Sequence, residues 1–171
     1  MAAGNTYTPL GTTTVGTATT SVTFSSISQS YTDLVAVVQH KSVATVCGLV
    51  CQVGAGTVIT AASYSVVSMT GDATNKYSAR DPNRTNMAFA RNNGDDNSDW
   101  QFTTINFMNY SNSTMQKVAL ARLSNAAQEA EANCNVMRNT TNINIITFFL
   151  TGSSLQFAVG STFTLYGIAA A

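Results

Sequence analysis

Asn-Ile-Asn-Ile-Ile-Thr-Phe-Phe-Leu at residues 142–150, followed by Gly-Ser-Thr-Phe-Thr-Leu-Tyr-Gly-Ile at residues 160–168, is the densest apolar and β-branched sequence in the chain. Thr-Gly-Ser-Ser at residues 151–154 separates the two stretches and is typical of a turn. In the second stretch, Phe163 and Leu165 fall on one face of an extended chain and alternate with polar residues. The pattern predicts two strands, of which the last lies deep in a β-sheet.

Short segments rich in β-forming residues run through the rest of the chain, separated by turns that contain Gly, Asn or Pro. The predicted strands include residues 33–39, 43–53, 64–69, 87–91, 100–108 and 115–123. A total of about nine to ten short strands with frequent turn signals is the pattern of a β-sandwich. The sequence therefore predicts an all-β protein with a single jelly-roll-like β-sandwich.

Three parts of the chain are expected to differ from this pattern. Residues 1–20 are rich in Gly, Thr and Ala and carry few large apolar groups, so they are expected to be a flexible tail or, preferably, an extended N-terminal arm that becomes ordered against a neighbour, while residues 21–171 form the sandwich domain. Residues 92–99 contain an Asn-Gly dipeptide and predict a hairpin tip. Residues 124–132 have helical propensity but are short, which predicts a loop or a single helical turn.

The composition is nearly uncharged. Hydrophobic residues make up 44% of the chain and charged residues 9%, compared with about 25% charged residues in ordinary soluble domains. Eight basic and eight acidic residues cancel, which argues against nucleic-acid binding. No run approaches the roughly 20 apolar residues of a membrane span, and the first residues lack the features of a signal peptide. A neutral, polar surface suits a protein that works in a dense assembly.

The residues that could support catalysis or metal binding are few. Three cysteines, Cys47, Cys51 and Cys134, have neither disulfide nor zinc spacing and are expected to be buried, reduced thiols. His40 is the only histidine and has no nucleophile motif beside it. The only two glutamates, at positions 129 and 131, are expected to be a solvated surface pair. The sequence thus predicts no catalytic residue, no cofactor and no metal.

One polar cluster stands out as a candidate contact for a glycan or an ion. Asp95, Asp96 and Asp99 supply oxygen ligands of the kind that Ca²⁺ prefers, and Trp100 could stack on a sugar ring. The spacing does not match an EF-hand, and hairpin tips are rich in Asp and Asn for their turn geometry alone. Both explanations stay open at this point.

The C-terminal Gly-Ser-Thr-Phe-Thr-Leu-Tyr-Gly-Ile string resembles the ending of small β-rich virion proteins of tailed bacteriophages. Residues 21–27 and 31–35 are similar to a second string of the same family, whereas residues 71–78 and 116–118 match it only thinly. The resemblance therefore covers both ends of the chain and little of its middle. It implies a phage structural protein that belongs to the capsid or to the tail.

Together these observations lead to a first functional hypothesis. The chain is expected to be a capsid decoration (cement) protein that is made in the bacterial host cytoplasm, binds the outside of the capsid shell and stabilises it. Its expected partners are the major capsid protein and further copies of itself in a homotrimer, with no nucleic acid and no membrane. The alternative is a tail-fibre or tail-tip domain that binds a host-surface glycan. Neither hypothesis makes the chain an enzyme.

Overall fold

The computed structural model describes residues 6–43, 47–72, 74–89, 100–125, 129–152 and 154–169. These ranges contain thirteen β-strands and no helix. In chain order the strands are β1 (Tyr7–Thr14), β2 (Ser21–Phe24), β3 (Asp33–His40), β4 (Leu49–Ala55), β5 (Thr57–Val58), β6 (Tyr64–Asp72), β7 (Lys76–Arg84), β8 (Met87–Ala88), β9 (Gln101–Met108), β10 (Lys117–Asn125), β11 (Glu129–Met137), β12 (Ile145–Leu150) and β13 (Thr162–Ile168). The predicted all-β class is confirmed.

The strands form two antiparallel sheets that pack as a sandwich. The larger sheet has eight strands in the order β1-β13-β3-β9-β10-β11-β6-β7. The smaller sheet has the order β2-β12-β4-β5, and β8 also pairs with β4. The core lies between the sheets and takes apolar side chains from both of them, including Leu34, Ile105, Phe148 and Phe163. Burial of this apolar area supplies the main driving force for folding.

The C-terminal strand lies inside the larger sheet, as the sequence predicts. β13 pairs with β1 on one side and with β3 on the other. Phe163 and Leu165 are buried in the core, and the residues that alternate with them lie on the other face. The alternation predicted for β9 is confirmed in the same way, because Thr103, Ile105 and Phe107 are buried. The alternation of side chains with a period of two residues therefore separates the buried face of these strands from the other face.

The two sequence strings that carry the resemblance to phage proteins lie against each other. β3, which contains residues 33–35 of one string, pairs with β13 of the other. Tyr31, at the entry to β3, covers Gly167, and a Cβ atom added at Gly167 would lie 2.5 Å from Tyr31 Cγ. Glycine is therefore required at this position because the tyrosine ring occupies the space of any larger side chain.

Buried polar side chains of the larger sheet bind the backbone of the smaller one. The Tyr64 hydroxyl accepts a hydrogen bond from Val53 N at 3.2 Å and lies 2.9 Å from the Ile59 carbonyl oxygen. On β11, the Asn135 side chain accepts a hydrogen bond from Ala88 N at 2.9 Å and donates one to Ala88 O at 2.8 Å. The amide thus binds Ala88 in the way that the backbone of a neighbouring strand would. These bonds satisfy backbone groups of β4 and β8 that the sandwich would otherwise bury unpaired.

Both prolines of the chain lie on the two edge strands of the larger sheet. Pro9 on β1 and Pro82 on β7 each fall at an irregularity in strand register. Proline cannot donate to a further strand, and bulges twist an edge away from regular pairing. Both edges are thereby protected against addition of another chain.

Some expectations from the sequence are not met. The N-terminal arm is not confirmed, because residues 7–14 form β1 and pair with β13 of the same chain. The jelly-roll connectivity is not confirmed either, since the described strands divide into sheets of eight and five. The loop or helical turn expected at residues 124–132 was wrong, because β10 runs to residue 125 and β11 starts at residue 129. Pairing with β10 and β6 overrides the helical propensity of that segment.

The contact between Tyr31 and Gly167 can be tested by substitution. Gly167→Ala should lower the free energy of unfolding by about 1 to 3 kcal/mol, because the added methyl group overlaps the tyrosine ring. Gly71→Ala is a matched control in another strand of the same sheet, since a Cβ there meets nothing within 4 Å. Urea denaturation of both variants measures the difference, and equal stability of the two would contradict the packing argument.

The amide clamp on β8 leads to a second prediction. Asn135→Ala should cost about 2 to 4 kcal/mol of unfolding free energy, because it leaves a buried N–H and a buried C=O of Ala88 without partners. Asn106→Ala removes an exposed amide from the same sheet and should change stability by about 0.5 kcal/mol or less. Thermal and urea unfolding of the two variants compare the buried amide with the exposed one.

Candidate interaction surface

The face of the larger sheet that points away from the core carries exposed apolar side chains on five adjacent strands. Met69 is the most exposed of them, at 63%. The set comprises Val37 on β3, Phe102 and Met108 on β9, Leu120 on β10, Cys134 on β11, and Val67 and Met69 on β6. We call it the outer apolar face. Single exposed apolar residues are ordinary, whereas several on one face of a sheet are typical of an interaction site.

Strand register brings these side chains into rows across the sheet. Leu120 lies opposite Asn106 on β9 and opposite Cys134 on β11, and Cys134 lies opposite Val67 on β6. The next row runs through Thr104, Arg122, Ala132 and Met69. Directly opposite residues have Cβ atoms about 5 Å apart, so the apolar groups are in lateral contact.

The rows enclose a shallow groove of about 590 Å³ on this face. It extends over β9, β10, β11 and β6, and its centre lies between β10 and β11. Its lining residues are apolar or carry amide or hydroxyl groups. Apart from the Cys134 thiol, Arg122 is the only ionisable side chain among them. A groove of this kind favours an apolar, weakly charged partner over an ionic one.

The outer face of the smaller sheet is different. Its exposed side chains are mainly hydroxyl and amide groups, such as Ser21, Thr23 and Gln52. Thr23 and Thr147 join their hydroxyls at 3.0 Å across β2 and β12, and Gln52 donates to the Thr85 carbonyl. These groups are satisfied by each other and by water. The two outer faces of the sandwich therefore differ in polarity: in the described part of the chain, the exposed large apolar residues that belong to strands all lie in the larger sheet.

The cysteines do not all have the predicted environment. Cys47 and Cys51 are buried, and burial raises the pKa of both thiols, as expected for inert core residues. Cys134 is exposed, so the prediction of a buried thiol was wrong for this residue. The reason is parity: the residues of β11 on either side of it, Asn133 and Asn135, point into the sandwich, which turns Cys134 outward.

The predicted contact for a glycan or an ion is only partly visible. Asp95, Asp96 and Asp99 lie outside the described residues, so their role stays a prediction. Trp100 is half-buried, and its indole lies against Gly160, where an added Cβ would be 3.4 Å from Trp100 Cη2. Packing against this turn already uses part of the ring surface that a sugar would need.

His40 is buried at the end of β3, with 1% of its surface exposed. Neither ring nitrogen has a hydrogen-bond partner, and the ring meets Phe157 edge-on with centroids 5.8 Å apart. Burial lowers the pKa of His40 to about 4. Gln101 on the paired strand β9 also has a buried oxygen without a partner. His40 is thus neutral at pH 7 and is part of the core.

Two further charged groups are buried. Glu131 faces the inside of the sandwich from β11, so the expectation of a solvated glutamate pair was wrong for this residue. Lys117 donates through Nζ to the carbonyl oxygens of Met115 at 2.5 Å and Thr140 at 3.0 Å, and burial lowers its pKa. These bonds tie two loops to β10. Within the described ranges, no group of three or more His, Cys, Asp or Glu side chains is placed to hold a metal ion.

Sequence reasoning missed the outer apolar face, although a signal was present. In β9 Phe102 and Met108 occupy the parity opposite to Ile105 and Phe107, and in β6 Val67 and Met69 occupy the parity opposite to Tyr64 and Val66. Large apolar residues at both parities of a strand in a sheet of a two-layer sandwich indicate that both faces meet other surfaces. That observation would have pointed to β6 and β9.

No protein-family model matches the chain, and no curated protein or solved structure is significantly similar to it. None of the described segments forms a helix of the length and apolarity needed to cross a membrane.

The environment of His40 predicts how stability depends on pH. The pKa of about 4 in the folded protein lies below the ordinary 6.5, so the unfolded chain takes up the proton first as pH falls. His40 thereby contributes about 3 kcal/mol to the free energy of unfolding. This contribution is complete above pH 6.5 and is lost as the pH falls from 6.5 to 4.

His40→Phe isolates this contribution from the carboxylates that titrate in the same range. The phenyl ring keeps the edge contact with Phe157 and removes two buried nitrogens without partners. Unfolding free energies of the parent and the variant should diverge in favour of the variant as pH falls from 6.5 to 4. Parallel curves for the two proteins would show that His40 does not titrate as its burial implies.

Proposed function

We propose that this chain is a non-catalytic structural protein of a bacteriophage virion, and specifically a decoration protein that binds the outside of the capsid shell. The outer apolar face, on a chain with only 9% charged residues, is the observation that carries the proposal. Contact of such a face with water costs about 25 cal/mol of free energy for each Å² of apolar surface that stays uncovered. A protein with this surface is suited to work while packed against others.

The resemblance of its two sequence strings to phage virion proteins gives the class of assembly. In a decoration protein, contacts to neighbouring shell subunits must withstand the pressure of packaged DNA. Apolar contacts suit that role because they need no counterions and change little with ionic strength. The partners in this proposal are the major capsid protein and further copies of the chain itself. The protein is located on the capsid surface of the virion, after synthesis in the host cytoplasm.

A tail-fibre or tail-tip domain that binds a host-surface glycan is the second candidate. The half-buried indole of Trp100 is the observation that favours it, because the residue is partly accessible to solvent. Trp100→Ala with intact folding would abolish binding to host cells in this case. The same substitution should leave capsid binding unchanged under the first proposal, so one variant separates the two candidates.

Co-sedimentation with expanded capsids that lack the decoration protein tests the proposal, with isolated tails and host cells in parallel tubes. We expect saturable binding to capsids alone, at a stoichiometry set by the capsid lattice. Bound protein should change little between about 0.05 and 0.5 M NaCl, because the chain carries few charges that salt could screen. Binding to tails or cells without binding to capsids would overturn the capsid proposal.

A further inference from the structure

We infer that a second copy of this chain covers the outer apolar face, with a two-fold axis that runs parallel to the strands along the groove between β10 and β11. The inference rests on the proposed function: the outer apolar face joins copies of the chain, and the dimer contacts the capsid shell through its remaining surface. It differs from the expected homotrimer, since a surface that pairs with itself about a two-fold axis closes as a dimer.

The groove fixes the position of the axis. It is lined by residues of β9, β10, β11 and β6, so its midline lies between the two central strands. Rotation about that midline places Leu120 of each copy over Cys134 of the other, because these residues share one row. Arg122 of one copy then lies over Ala132 of the other, again within one row. Leu120 and Cys134 of the two copies thus meet across the axis, and the two arginines do not face each other.

The same rotation brings opposite charges together at the rim. β7 of one copy comes to lie over β3 of the other, since these strands are equally far from the axis. Arg80 on β7 shares the row of Val67 and Leu120, and Asp33 on β3 lies two residues along from Val35 of that row. Two residues of a strand span about 6.6 Å, which an arginine side chain can bridge.

The size of the face fits a stable dimer. Strands β3 to β7 of the larger sheet are six neighbours with five spacings of about 4.8 Å, and each contributes about seven residues of 3.3 Å, which gives a flat footprint of about 550 Å². The accessible area is larger, because side chains project from that plane. A standard stable interface buries about 800 Å² on each partner, so the flat footprint of the face together with β7 is about two thirds of that area before the relief of the side chains is added.

Charge also favours a second copy over an ionic partner. The groove holds one arginine, and the chain as a whole carries eight basic and eight acidic residues in 171. A surface of the same chain therefore brings few charges that have to be desolvated on contact. Hydroxyl and amide groups such as those of Thr104 and Asn106 remain available to accept hydrogen bonds from the buried guanidinium.

Sedimentation analysis of the full chain provides the test. The parent protein should have twice the monomer mass of 18.0 kDa at micromolar concentration. Leu120→Asp should weaken association about a hundredfold or more, because it buries an unpaired carboxylate at the centre of the interface. Ser21→Asp is the matched control, since it adds the same charge to the outer face of the smaller sheet and should leave the dimer intact. Circular dichroism confirms that both variants fold.

The thiol of Cys134 reports on the same surface without any substitution. It should react slowly with a maleimide in the dimer and rapidly in Leu120→Asp, while buried Cys47 and Cys51 stay slow in both. A trimer mass, a monomer at all concentrations, or a dimer in which Cys134 reacts rapidly and Leu120→Asp has no effect would each overturn the inference. Capsid co-sedimentation by the same preparations is scored separately, so loss of the dimer and loss of the proposed function can be told apart.

Discussion

The hydrogen bonds from Asn133 and Asn135 to the backbone of β8 decide which side of β11 faces the core. Both amides point inward, and Asn135 makes a reciprocal pair of bonds with one backbone unit while Asn133 donates to the next. A shift of one residue in register would turn Ala132, Cys134 and Val136 inward, which hydrophobic burial alone would favour. The shift would also remove the partners of Ala88 N, Ala88 O and Phe89 O, and buried backbone groups without partners are too costly. The amides therefore select the register.

This selection has a consequence on the other side of the sheet. Because β11 uses its polar residues to hold the second sheet, its small apolar residues and its thiol must face outward. They join Leu120 on β10 and Met69 on β6 in the outer apolar face. The hydrogen bonds that join the two sheets and the outer apolar face are thus both consequences of the alternation of side chains along β11. The edges, which carry Pro9 and Pro82, are closed to strand addition, so faces rather than edges are left for association.

The orientation of β11, with polar residues inward and apolar residues outward, explains which elements could be predicted from the sequence and which could not. β13 follows the usual rule, with Phe163 and Leu165 inward, and the existence of β9, β12 and β13 was predicted correctly. β11 breaks the rule, and its Glu-Ala-Glu-Ala composition suggested a loop or a helical turn. β1 was taken for an arm because its partner, β13, is about 150 residues away in sequence, and local composition contains no information about such a pairing. Asp95, Asp96 and Asp99 were proposed from composition alone and lie outside the described residues.

The division of the chain into fold and surface also bears on what its resemblance to phage proteins can mean. The strings at both ends meet where Tyr31 covers Gly167, and this contact closes the larger sheet around its last strand. The outer apolar face is built instead from β6, β9, β10 and β11, in the middle of the chain, where the resemblance is thin. Closure of a sandwich imposes steric demands that any chain of the same fold must meet, whereas a docking face needs only to fit its own partner. On the proposed function, the ends carry the architecture and the middle carries the docking face.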